Sequence, residues 1–271
     1  MSILGTGSKM LNAASGDGGR PDASIFEPVP KMLVTFRFVP DPKRKVCMDR
    51  DMFRRPVVLF DFDGTVADTG RAVMTSTRRT LAARGFSEAQ MGDLRRMIGP
   101  PLSQSFRDFY GFSPGESEVV ADEYRAFFEE LGPEDYPVFK GIPELLDGLA
   151  AQGRRLAVAT SRLEGKCRSM VAELGLGQFE AVVGMNPPEG RRTKADSVRD
   201  ALAALGVTAD EAVMVGDRFN DVEGAHACGV PCIGIYSGAA APGEHEAVGA
   251  DAVVHSVAEL AALFGVPCPQ Q

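Results

Sequence analysis

The sequence predicts an α/β protein, a doubly wound parallel sheet with an inserted helical block. Three observations predict it. From Tyr136 onward, short apolar runs of strand length alternate with stretches whose apolar residues recur at helical spacing. The runs are continuous rather than alternating, as in strands buried on both faces of a parallel sheet. Between the first run, Val57–Phe60, and the second, from Arg155, the long stretch up to Tyr136 carries helical spacing alone.

Val57–Phe60 (VVLF) is the first strand, and it ends in Asp61-Phe62-Asp63-Gly64-Thr65. Side chains alternate along a strand, so Asp61 and Asp63 leave the sheet edge on the same side. Gly64 lets the chain turn where a side chain would crowd. Two adjacent carboxylates repel each other, and burying them unpaired is costly. A cation, and a reaction needing two differently tuned acids, accounts for the pair.

Val73, Thr77 and Leu81 then mark a helix that Gly85 ends. Gly99-Pro100-Pro101 breaks the helices in mid-block. Val120, Tyr124, Phe127, Phe128 and Leu131 form one helical stripe. With no strand pattern inside it, the block over residues 70–136 is expected to be a helical cap, and residues 51–69 with 137–271 the α/β core. Cap residues Arg95, Arg96, Gln104 and Arg107 are candidates to meet a substrate. The rigid Gly99-Pro100-Pro101-Leu102 is the better candidate to face the core.

In the core, Ile142, Leu145, Leu146 and Leu149 predict a helix and Arg155–Thr160 the second strand. Met170, Val171 and Leu174 predict the next helix, which Gly175 and Gly177 end. Phe179–Val183 is the third strand, and Val198, Ala201, Leu202 and Leu205 predict the helix after it. Ala212–Val215 leads into Gly216-Asp217. Cys232–Tyr236 and Ala252–Val254 are shorter strands, and Val257–Phe264 a closing helix. Strands alternating with helices imply right-handed crossovers, and in such sheets ligands bind at the carboxyl ends of the strands.

Residues 1–50 differ from the rest and are expected to form a disordered or irregular extension. The chain through Ser24 is rich in Gly, Ser and Ala. Met32–Val39 is a lone strand candidate bracketed by Pro28, Pro30, Pro40 and Pro42. A basic start followed by an unbroken apolar stretch is lacking, so a secretory signal is not expected. Acidic residues from Asp17 disfavour a transit peptide. A start at Met48 or Met52 would leave a short lead-in to the Val57 strand.

Lys+Arg 29 against Asp+Glu 37 gives a net charge of −8, which disfavours a nucleic-acid or anionic-membrane partner. No apolar run approaches the ~20 residues of a bilayer span. The five cysteines are scattered and odd in number (Cys47, Cys167, Cys228, Cys232, Cys268), which suits a reducing, cytoplasmic setting. Cys228, Cys232 and His226 lack the second pair of a zinc site and read as buried thiols. A monomer or homodimer is expected.

The residues at the strand ends carry the chemistry. The first strand ends in Asp61 and Asp63, the second in Thr160-Ser161, the fourth in Gly216-Asp217 with Asp221 four residues on. Lys194 opens the helix between the third and fourth strands. Four carboxylates at one edge repel one another unless a hard cation sits among them. Mg²⁺ takes oxygen ligands and keeps several waters, so a site with few protein ligands suits it. One lysine and one hydroxyl complete a cradle for a phosphate dianion.

DFDGT, Thr-Ser after the second strand, the lysine of TKAD, and GDRFND together resemble the four motifs of the haloacid dehalogenase superfamily over about residues 55–265. The helical block is similar to the small cap of its phosphoglycolate phosphatase-like branch. The resemblance implies Asp61 as nucleophile and Asp63 as general acid/base. It implies Thr160 and Lys194 as catalytic phosphate ligands, with Ser161 and Gly64 beside them. Mg²⁺ would be ligated by Asp61, the carbonyl of Asp63 and Asp217, with Asp221 adjacent.

Within that superfamily, a halide leaves unprotonated, so the acid at Asp63 argues for phosphoryl transfer. The phosphonate-cleaving relatives need a cap lysine, and none occurs between Lys45 and Lys140. Lys194-Ala195 departs from the Lys-Pro of many phosphoglycolate phosphatases. GRRTKAD, IGPPL and GDRFNDVEGA look closer to 5′-nucleotidase-like members. A phosphatase on phosphoglycolate-like or nucleoside-monophosphate substrates is the first expectation. A sugar-phosphate mutase and a non-catalytic scaffold are the alternatives. Arg191 and Arg192, just before Lys194, are candidates to attract the anionic substrate.

Overall fold

The computed structural model describes residues 50–267 apart from 187, 189, 191 and 192. The expectations for the N-terminal extension, for a strand at Met32–Val39, and for Arg191 and Arg192 lie outside these residues. Six strands form one parallel sheet: β1 Val57–Phe60, β2 Arg155–Leu163, β3 Phe179–Met185, β4 Ala212–Gly216, β5 Cys232–Ile235 and β6 Ala252–Val254. Their spatial order is β3-β2-β1-β4-β5-β6, so the winding reverses between β1 and β4. Such a reversal opens a crevice at the strand carboxyl ends, where ligands bind.

β1 is buried along its whole length because it feeds two cores. Val58 and Phe60 face one cluster, with Ile142, Leu146 and Leu149 of α5 (Ile142–Ala151), Met170 of α6 (Glu164–Glu173) and Leu260 of α10 (Val257–Leu263). Val57 and Leu59 face the other, with Val198 and Ala201 of α7 (Lys194–Leu205) and Val222 of α8 (Phe219–Ala227). Continuous apolar runs were therefore the right signal for a sheet covered on both faces. Two strands, β2 and β3, run further than expected. β2 continues past Thr160 to Leu163, which pairs with Met185 of β3 across an irregularity in the ladder.

Between β1 and α5 every regular element is helical: α1 Gly70–Ala83, α2 Glu88–Met91, α3 Leu102–Tyr110 and α4 Pro114–Glu129, with short 3₁₀ turns. Ser113 and Glu116 cap α4 reciprocally, and Pro114 suits its first turn. Phe106 centres an aromatic cluster with Tyr110, Phe112 and Tyr124. Val120, Tyr124 and Phe128 are buried on α4 as the stripe predicts. Phe127 is only half-buried, with its ring under the Arg79 guanidinium at 4.3 Å. Leu131 lies beyond the helix end.

The chain leaves and re-enters the sheet region side by side. Asp68 N donates to Pro137 O (2.8 Å) and Phe139 N to Val66 O (3.0 Å), which ties the two connections together. The small helix α9 (Glu244–Ala247) precedes β6. Among the described residues no helix is long and apolar enough to cross a membrane.

Candidate active site

Phe60 lies opposite Val158 of β2 and Val215 of β4, so Asp61 just past β1, Thr160 within β2 and Asp217 just past β4 lie near one level. Asp61, Thr160, Asp217 and Asp221 are buried there, and Lys194 joins them from the first turn of α7. Thr193 and Asp196 cap that helix reciprocally, which fixes where Lys194 begins. The stem of Lys194 passes Gly224 of α8, where a β-carbon would fall 2.6 Å from its Cγ. Its Nζ lies 2.6 Å from Asp61 Oδ1 and 2.7 Å from Asp221 Oδ1.

Asp217 is held by backbone and hydroxyl groups. Ala239 N donates to its Oδ2 (3.1 Å), and Thr65 Oγ1 reaches its Oδ1 (3.5 Å). Gly64 has φ +83°, and a β-carbon on it would lie 2.3 Å from Asp217 Oδ2. The turn thus needs glycine twice over, for its backbone and for the space that the carboxylate fills. Ser237 Oγ secures the turn by donating to Gly64 O (2.6 Å). Asp221 Oδ2 accepts from Arg218 N at the start of α8.

One oxygen from each of Asp61, Asp217 and Asp221 lies within 4.8 Å of the others. Of these three carboxylates, Asp61 and Asp221 contact the Lys194 ammonium. Burial pushes the Asp61 carboxyl up to about 7, with Lys194 opposing and Asp221 and Asp63 adding to the rise. Burial, then Asp221 and Asp61, push Asp217 well above the usual carboxylate range. Burial pulls the Lys194 ammonium down, but Asp221 and Asp61 together hold it above its usual range. A hard divalent cation fits this donor set, all oxygen and rich in negative charge.

Asp63 leaves the turn on the same side but joins a different partner. Arg162 Nε contacts its Oδ1 and Oδ2 (3.1 and 3.0 Å), and Nη2 contacts Oδ1 (2.6 Å). The four carboxylates therefore divide: Asp61 and Asp221 share Lys194, Asp217 beside them is held by Ala239 N and Thr65 Oγ1, and Asp63 pairs with Arg162. Thr160 Oγ1 accepts from Arg162 N (3.2 Å), and Thr160 O accepts from Ser197 Oγ (3.0 Å). Ser161 is half-buried near Asn220 Nδ2 (3.5 Å).

A cavity of about 380 Å³ opens between these strand ends and the helical block. Asp61, Asp63, Thr160 and Ser161 line its floor; Arg107 of α3 and Arg125 of α4 line its roof. Gly99, Pro100, Pro101 and Leu102 line it as expected, held by Arg218 Nη1, which donates to Ile98 O. Of the four cap candidates, Gln104 and Arg107 reach the cavity. Arg95 and Arg96 are spent elsewhere. Arg95 is exposed and pairs with Asp93 (2.8 Å), while Arg96 lies over the Phe109 and Tyr110 rings. Arg125, Arg162 and Lys166 also line the cavity, although nothing in the sequence pattern singles out all three. Only Arg162 carries a usable signal, because it directly succeeds Thr160-Ser161.

The model of the haloacid dehalogenase-like hydrolase family matches residues 58–235. A 5′-nucleotidase of Pseudomonas aeruginosa is 36% identical over 211 residues, covering 78% of this chain and 94% of that protein. A phosphoglycolate phosphatase of Rhodospirillum rubrum is 31% identical over 222 residues, 78% of this chain and 92% of that one. Among solved structures, a protein described as a predicted phosphatase from Clostridium acetobutylicum is 34% identical with a TM-score of 0.71. It covers 76% of this chain and 96% of its own. With the acids, the lysine and the hydroxyl gathered where the four motifs lead, the chain belongs to the haloacid dehalogenase-like hydrolase family, as an enzyme of its phosphatase kind.

Proposed function

We propose that the chain is a Mg²⁺-dependent phosphatase that cleaves a small phosphomonoester through an aspartyl-phosphate on Asp61. The observation that carries this reading is the division of the acids. Asp61 is buried against Lys194 in the carboxylate cluster, while Asp63 stands apart at the mouth of the same cavity. Two carboxylates in different surroundings suit two different roles.

In this reading the Asp61 carboxylate attacks phosphorus, and the bond from phosphorus to the leaving oxygen breaks. Asp63 gives its proton to that oxygen, then takes one from the water that attacks the aspartyl-phosphate. The second attack returns Asp61 and releases inorganic phosphate. Lys194 and the Thr160 hydroxyl hold phosphoryl oxygens, with Ser161 and the Gly64 turn beside them. Asp61, Asp217 and the carbonyl of Asp63 would hold Mg²⁺, with Asp221 adjacent. When bound, the ion offsets negative charge between nucleophile and phosphate.

The block over residues 70–136 serves here as the lid that selects the leaving group. Arg107 supports this role, because among the described residues it has no acidic partner. Arg125, by contrast, pairs with Asp122 (2.5 Å), and Lys166 with Glu129 (2.8 Å). The 5′-nucleotidase and phosphoglycolate phosphatase relatives direct the substrate search to phosphoglycolate-like esters and nucleoside monophosphates. The buried thiols of Cys167 and Cys232 support a reducing, cytoplasmic setting.

The test is phosphate release from a phosphomonoester panel, with Mg²⁺ and with EDTA. Metal-dependent release from at least one small ester is expected. Silence across phosphoglycolate, nucleoside monophosphates and hexose phosphates would overturn the reading.

A further inference from the structure

Arg162 sits at the junction of core and cap, and the proposed mechanism leaves it without a role. Its side chain is 11% exposed and that of Asp63 12%, so the pair is largely withdrawn from water. The guanidinium lies over the Phe128 ring of α4, 4.3 Å from its centroid. Tyr124, one turn earlier on α4, sets its hydroxyl against the same group. The backbone N of Arg162 meanwhile donates to Thr160 Oγ1, in the phosphate cradle. One residue thus touches the acid/base candidate, the cradle and the cap helix.

We propose that Arg162 is the positioning residue that aims the Asp63 carboxylate at the leaving group, with its own plane held by the cap rings Phe128 and Tyr124. This rests on the phosphatase reading and deepens it. A guanidinium fixes a carboxylate in rotation as well as in place, because its donors form a rigid fork. Here Oδ1 receives two contacts and Oδ2 one. Oδ2 keeps more lone-pair capacity free and is the oxygen assigned to proton transfer. A lysine would hold the charge but not the rotation. Flat packing of an arginine on an aromatic face adds attraction and leaves its in-plane donors free for the acid. The arrangement makes proton transfer depend on α4 being docked on the core.

The step that feels Arg162 is the one in which Asp63 moves a proton. For an alkyl phosphate the leaving oxygen needs that proton as its bond to phosphorus breaks. For p-nitrophenyl phosphate it scarcely does, because the phenolate is stable as an anion. In a two-step hydrolysis, kcat/KM reports events through release of the first product.

The experiment compares full-length wild type, Arg162→Ala, Arg162→Lys and Phe128→Leu with Mg²⁺. Each is assayed on p-nitrophenyl phosphate and on the best alkyl ester of the panel. Expected in Arg162→Ala is a kcat/KM loss about tenfold larger on the alkyl ester than on the aryl ester. Arg162→Lys should show the same bias, and serves alone if the alanine variant fails to fold. Phe128→Leu should show a smaller bias in the same direction. Equal losses on both esters, or none, would overturn the inference while leaving the phosphatase reading intact. A wild-type protein that hydrolyses neither ester would overturn both.

Discussion

Asp61→Asn is expected to make the metal-free protein more stable at alkaline pH while abolishing turnover. The Asp61 carboxyl is pushed up to about 7 from 3.8, by burial first. The unfolded chain releases this proton near 3.8, and the folded protein holds it until about 7. Below the lower value both states are protonated and the group costs nothing. Between the two values the cost accumulates as pH rises, and above the higher one the folded state bears the full difference. A shift of about 3 units at roughly 1.4 kcal/mol each amounts to about 4 kcal/mol. Roughly 3 kcal/mol of that develops between pH 5 and pH 8. An amide carries no such cost, and Asp221 still holds Lys194 at 2.7 Å. Urea unfolding in EDTA at the two pH values measures the effect. Wild type should lose more stability than the variant as pH rises, and Mg²⁺ should rescue wild type more. Parallel pH profiles, or a variant less stable than wild type at pH 8, would refute the reasoning.

Lys194→Met leaves Asp61 and Asp221 buried without their ammonium, a change that typically costs ~3–5 kcal/mol. At ~2–4 °C per kcal/mol the thermal midpoint in EDTA should fall by roughly 6–20 °C, and an unchanged midpoint contradicts the pairing. Turnover, and the binding of inorganic phosphate followed by calorimetry, should both require Mg²⁺. Ca²⁺ should inhibit, since its looser shell admits a bidentate Asp61 that cannot attack; full turnover after EDTA dialysis would count against the site. Arg107→Ala should raise KM roughly tenfold for esters whose leaving group carries a second anion, and leave neutral ones alone. Asp63→Asn should accumulate aspartyl-phosphate from an aryl ester, seen by mass spectrometry as a gain of one HPO₃, whereas Asp61→Asn shows none.

The sheet was legible because each strand carries a short apolar run, even where β2 opens on Arg155 and β3 holds Glu180. Val57–Phe60 has to be buried on both faces, and the acids can appear only where the strand stops. Lys194 was legible for a related reason, as the Thr193–Asp196 capping box marks the helix start beside it. What stayed hidden depends on how the helical block docks. Arg96 and Arg107 look alike in sequence, yet Arg96 is drawn onto the Phe109 and Tyr110 rings and Arg107 reaches the cavity. Arg125 comes directly after Tyr124 on α4 and reaches the cavity only through the way that helix packs. No local pattern separates such residues, because their surroundings come from segments distant in the chain. The pairing of Asp63 with Arg162 spans 99 residues and is of the same kind.

Under the proposed mechanism, the two groups of acids also give a reason for metal and substrate to bind as a unit. At the mouth, the Arg162 guanidinium lies against Asp63, so an approaching anion does not meet a bare carboxyl there. Deeper in, Asp61, Asp217 and Asp221 cluster around one contacting ammonium, that of Lys194, and when ionised they make that pocket rich in negative charge. A phosphate dianion entering it without a cation would meet carboxylates in a region of low dielectric, where repulsion is strong. Desolvation raises the Asp61 and Asp217 carboxyls and so opposes their ionisation. A divalent ion reverses both effects at once, since it favours ionised Asp61 and supplies the charge that phosphate needs. Nucleophile ionisation, metal binding and phosphate binding are then linked equilibria, each strengthening the others. On the proposed mechanism, the crowding of these acids favours a cation together with an anion over either alone.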